Sequence, residues 1–191
     1  MQWADKGVLS TAQKRQWAES VIKIAGRDRP DFAFAVLAPM FRSTENPQEQ
    51  SALWDWAAAE FRNRPDLVAA ARLWQGRAWE KAGDNGRAYD AYKDINARYP
   101  NDGQNIIHAL ARAEALLHKN GKDAAIVGLY EDAFRRVTKP SQLSPGFEFQ
   151  TNYFQVGFRY AELLSKAGRE ADAARVRRQI GVPDAPPSKR G

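Results

Sequence analysis

The chain has 191 residues, of which 29 are Lys or Arg and 23 are Asp or Glu, giving a formal net charge of +6; there is no cysteine. The missing cysteines rule out disulfides, thiolate metal sites and cysteine nucleophiles. With 43% hydrophobic and 27% charged residues, the composition is that of an ordinary globular chain with one sizeable core.

Nearly every segment reads as helix and none as a firm strand. The first helix is expected from Ser10, a good N-cap, to about Ala25, with Trp17, Val21 and Ile24 on one side. The run DFAFAVLAPMFRS is apolar on every side and is expected to be a buried helix that Pro39 kinks or shortens. A third helix starts near Pro47, and Pro65 restarts the chain. Beyond it the helices pair up, 66–82 with 84–98, 103–119 with 122–137, and about 147–167 with 169–180. Loops this short make paired helices antiparallel. The tail 183–191 is polar and rich in proline, and is expected to be unfolded.

One short phrase recurs. Lys81-Ala82-Gly83 is followed by Lys119-Asn120-Gly121 and Lys166-Ala167-Gly168, at offsets of 38 and 47. Lysine in a last helical turn suits the negative end of the helix dipole, and glycine just beyond takes the left-handed conformation that ends a helix. Lys-x-Gly therefore marks the end of the first helix in three successive hairpins, which is the signature of a repeat.

The stretch 69–102 resembles a tetratricopeptide repeat, a 34-residue pair of antiparallel helices. With Ala69 first, Gly76 falls at position 8, Trp79 at 11, Ala88 at 20, Tyr92 at 24 and Pro100 at 32. Arg72 and Gln75 depart from the pattern. A second copy from Ile107 keeps Leu117, Ile126, Tyr130 and Ala133 but has Glu114 in place of the glycine. A third from Phe154 keeps Ala161, Leu164, Ala173 and Ile180 but has Arg177 in place of the second aromatic.

The resemblance implies an all-α, right-handed α-solenoid of about nine antiparallel helices. Three hairpins would occupy 66–182, behind a divergent helical cap at 1–65. It also implies a concave face, made by the first helix of each pair, that binds an extended or helical segment of a partner. Carried over by position, that face comprises Ala70, Leu73, Arg77 and Lys81; His108, Arg112, Ala115 and Lys119; and Gln155, Phe158, Glu162 and Lys166. The three lysines form a ladder that would hold carboxylates of a protein or peptide partner of acidic character. The other reading of each lysine is helix-end chemistry alone, and Lys166 has Glu162 one turn earlier for an ion pair. Phe158 reads either as a ligand contact or as core, and Trp54, Trp56, Trp74 and Trp79 read as core. The lysine and asparagine set with which some family members clamp a terminal carboxylate is not reproduced.

Signals for chemistry are missing. His108 and His118 point about 80° apart on one helix, so by themselves they share no metal. No nucleophile elbow, zincin motif, dinucleotide fingerprint or Walker loop occurs. The expectation is therefore a non-enzymatic protein without cofactor or metal. Two alternatives stand beside the scaffold reading. One is electrostatic binding of nucleic acid through Arg169, Arg175, Arg177 and Arg178, although Glu170 and Asp172 interrupt that run. The other is an accessory superhelix of a larger envelope protein or enzyme. Self-association through terminal hairpins fits as well.

No apolar run approaches the roughly 18 residues that a membrane span requires. The opening MQWADKGVLSTAQKRQW lacks the apolar stretch of a signal peptide. A start within a longer natural chain stays open, and so does the compartment, bacterial periplasm or envelope against cytoplasm.

Overall fold

The computed structural model describes residues 9–25, 28–141 and 150–182, and among these it contains nine α-helices and no strand. They are α1 (Thr11–Ala25), α2 (Pro30–Arg42), α3 (Pro47–Glu60), α4 (Pro65–Lys81), α5 (Asn85–Arg98), α6 (Gly103–Lys119), α7 (Ala124–Arg136), α8 (Asn152–Lys166) and α9 (Glu170–Gln179). The expected start of α8 near 147 and the tail lie outside the described residues.

The helix starts follow from local chemistry. The Ser10 hydroxyl accepts from the Gln13 N–H at 3.2 Å, and the Gln13 side chain accepts from the Ser10 N–H at 2.9 Å, a reciprocal capping box. Proline opens α2, α3 and α4, where its missing N–H costs nothing. Asn46 Oδ1 accepts from the N–H groups of Gln48 and Glu49, each at 3.0 Å. Thr151 caps α8 by accepting from the Phe154 N–H at 3.1 Å.

The helix ends explain the repeated phrase. Gly83, Gly121 and Gly168 have φ of 78°, 68° and 75°. At each, two hydrogen bonds close the last turn: Gly83 N–H to Glu80 and Asp84 N–H to Trp79, Gly121 to His118 and Lys122 to Leu117, Gly168 to Ser165 and Arg169 to Leu164. These are three Schellman motifs, ending α4, α6 and α8.

The chain divides into two compact units, Met1–Ala88 and Tyr89–Gly191, and the division falls inside α5. Within the first unit α3 and α4 pack closely, α2 lies against α1, α3 and α4, and α1 also meets α3. Buried Phe41, Trp54 and Phe61 join half-buried Phe34, Trp56 and Trp74 in a run of rings: Phe34 on Trp54 and Phe61, Phe41 on Trp54 and Trp56, and Trp54 stacked on Trp74. Each such ring removes roughly 150–250 Å² from water. Arg72, which departs from the repeat pattern, pairs with Asp55 at 2.6 Å instead of filling a core position.

Two expectations fail here. The α1 stripe is not the packed face, since Trp17 is 43% and Ile24 85% exposed while Ala18 and Lys14 are buried. Small Ala18 allows close approach, and the Lys14 ammonium donates to Thr44 Oγ1 at 3.0 Å. Nor is α2 buried all round: it hides Ala33, Leu37 and Phe41 and leaves Phe32 half-exposed. Pro39 does not end α2 early, because Ala35, whose carbonyl it leaves without a helical donor, is on the exposed side.

In the second unit α6 meets α7 and α8, α7 meets α8, and α8 meets α9. Ile106, Leu110, Leu116 and Leu117 of α6 are buried, together with Leu129 and Ala133 of α7, Val156 and Leu164 of α8, and Val176 of α9. Asn101 and Thr138 tie the α5–α6 turn to the end of α7 through two hydrogen bonds of 2.8 and 2.9 Å.

Candidate functional site

In the second unit, α6 and α8 lie directly side by side. Ile107, Leu110, Ala111 and Glu114 fall at i, i+3, i+4 and i+7 on one face of α6. Opposite them, α8 presents Gln155, Val156 and Arg159, and Tyr130 reaches in from α7. Together they line a cleft of about 270 Å³.

Its polar floor is a single network. The Arg159 guanidinium donates to both oxygens of Glu114 and, through Nη1, to Glu162 Oε2 at 2.9 Å. The Tyr130 hydroxyl donates to Glu114 Oε2 at 2.8 Å. Burial works against ionising Glu114, but the donors Arg159 and Tyr130 and the charges of Arg159 and Lys166 outweigh it, so the carboxyl titrates below its ordinary range. Burial, reinforced by the bond to Glu114, pushes the Tyr130 hydroxyl above its ordinary value. Hydrogen bonding to Glu114 likewise raises Arg159. The network is thus charged, mutually satisfied and fixed in place.

The expected concave residues are distributed unevenly around this cleft. On α6, His108, Arg112, Ala115 and Lys119 are exposed, one position further round the helix than the residues lining the cleft. On α8, Gln155 lines it, while Phe158 is 44% exposed and stacks on Phe154. Glu162 takes Arg159 as its partner and not Lys166, because the guanidinium fork spans Glu114 and Glu162 together. In the first unit Leu73 is 4% exposed and offers no surface to a partner. Arg77 is half-buried over Trp74, and Lys81 is exposed, donating to the Glu45 carbonyl at 3.4 Å.

Sequence reasoning missed Arg159 and the part played by Glu114 and Tyr130. The available signal was Glu114 itself: an acid in place of a close-packing glycine needs a donor beside it.

Other candidates are less open. Asp172 binds Arg169 at 2.7 Å and also pairs with Arg175, while Glu170 lies 3.8 Å from Arg177, so these arginines face acids of their own helix. Among the described residues, no group of three or more His, Asp or Glu side chains is placed to hold a metal ion, and no helix is long and apolar enough to cross a membrane. The chain matches no family model and no curated protein.

Proposed function

We propose that the chain is a non-catalytic protein-binding scaffold, an α-solenoid of the tetratricopeptide type whose first-helix face holds a segment of a partner. The observation that carries this reading is the α6–α8 cleft: two first helices in direct contact, a floor whose charged groups are paired with one another, an exposed apolar side chain, Phe158, on α8, and exposed lysines, Lys119 and Lys166, in the last turns of α6 and α8. The α2–α4 packing in the first unit and the matching ends of α4, α6 and α8 support the repeat reading. Fixed side chains lose little entropy when a segment binds, so a pre-formed cleft favours affinity. The floor also suits recognition over chemistry, because its carboxylate and phenol are both engaged.

Selection from a random peptide display library tests the proposal. The wild type is expected to enrich a common segment, and the same segment to be lost by a folded variant carrying Phe158→Ala, Lys119→Glu and Lys166→Glu. Charge reversal at Arg175 and Arg178 is expected to leave selection intact. No enrichment, or enrichment indifferent to the cleft variant, contradicts the reading.

A further inference from the structure

The first unit holds a group of cations that its own acids do not neutralise. Several arginines are closed off by acids: Arg64 by Asp31 and Asp66, Arg72 by Asp55, Arg98 by Asp94. Arg42, in the last turn of α2, and Arg77, on α4, are treated differently. Among the described residues no carboxylate pairs with either. Both guanidiniums instead lie over the Trp74 ring, 4.9 and 4.3 Å from its centroid. Trp74 is itself stacked on the buried Trp54, at 6.1 Å and 19°.

The remaining hydrogen bonds leave this group short of acceptors. Arg42 Nε donates to the Ala38 carbonyl at 3.3 Å, and Arg77 Nε is buried without a partner. One turn after Arg77, Lys81 reaches the Glu45 carbonyl, three residues past Arg42. Three cations therefore gather where the end of α4 meets the α2–α3 turn. A cation over a ring gains little, and a buried N–H left without an acceptor is costly. What the arrangement lacks is an anion.

We propose that Arg42 and Arg77, held over Trp74, form with Lys81 an oxyanion site for the Asp or Glu side chains of the partner segment; this rests on the protein-binding reading above. Guanidinium forks match carboxylates in a bidentate way. The base-stacking mode of single-stranded nucleic acid needs an open ring, and here guanidiniums already cover Trp74.

The test is calorimetric titration of the full chain at low salt with a capped octaglutamate peptide. Octaglutamine, a uridine octanucleotide and inorganic phosphate serve as comparison probes. Octaglutamate is expected to bind the wild type and to bind the Arg42→Gln, Arg77→Gln variant about tenfold or more weakly. Arg98→Gln, which removes a cation already held by Asp94, is expected to change affinity less than about twofold. Arg42 is exposed, so Arg42→Gln alone probes the site without opening the buried core and should weaken binding measurably. Failure of octaglutamate to bind, or equal affinity in wild type and double variant, overturns the site while leaving a segment captured at the α6–α8 cleft unaffected. Tighter binding of the oligonucleotide or of free phosphate overturns the assignment to acidic side chains.

Discussion

Glu114 stands where the repeat pattern wants glycine, and the structure shows what it does there: it holds Arg159 and the Tyr130 hydroxyl in one network. Its carboxyl is held below the ordinary glutamate range by those donors. The sign of the pH dependence follows. Stability from the ionised group is complete above the unfolded value and is lost as pH falls through the lower folded value. Glu114→Gln is expected to cost about 1–3 kcal/mol at neutral pH. In denaturant titrations from pH 7 down to 3, the gap between wild type and variant should close towards the acid end. A gap independent of pH would refute the assignment. This network was only half legible in the sequence. Glu114 departed from the repeat pattern and Tyr130 fitted it, but Arg159 lies 45 residues from Glu114 and is brought to it only by the packing of α8 on α6.

At the scale of the helix, two kinds of glycine can be told apart. Gly157 lies inside α8, where an added Cβ would come within 2.6 Å of Ile180 Cγ2 and of the Phe134 ring. Alanine gains up to about 1 kcal/mol of helix propensity, but overpacking costs about 1–3 kcal/mol. Gly157→Ala is therefore expected to lower the Tm, and a rise in Tm would show that α8 has room to shift. Gly121, at φ 68°, ends α6 with open space around it, so Gly121→Ala should cost about 1 kcal/mol through backbone strain alone. Lys119→Ala should cost less than about 0.5 kcal/mol. If Lys119→Ala also weakens partner binding, the lysine serves the partner; if it shifts only stability, it is helix-end chemistry. Helix ends were the most legible feature of the sequence, because capping depends on residues a few positions apart. The packed face of α1 was the least legible. Trp17 and Ile24 follow an apolar spacing but stay exposed, and the inward face instead uses Ala18 and a lysine that finds Thr44 thirty residues away.

Across the whole chain, the distribution of ion pairs matters more than the net charge of +6. Arg175 and Arg177 of α9 face acids on their own helix, whereas Arg42, Arg77 and Lys81 in the first unit do not. Binding of an acidic segment should therefore weaken as salt rises from about 0.05 to 0.5 M, and less steeply in the Arg42→Gln, Arg77→Gln variant. A salt dependence identical in both proteins would mean that other charges carry the attraction. The all-helical architecture was readable from proline, glycine and apolar spacing. The residues that line the α6–α8 cleft were not, because a shift of one position round a helix separates Ala111 from Arg112, and only packing decides which of them faces α8. The most direct measurement is a two-dimensional NMR titration of the labelled protein with a segment selected from the display library. The account predicts the largest shifts at Ile107, Ala111, Gln155 and Phe158. Shifts confined to α9, with the α6 and α8 signals unmoved, would contradict it.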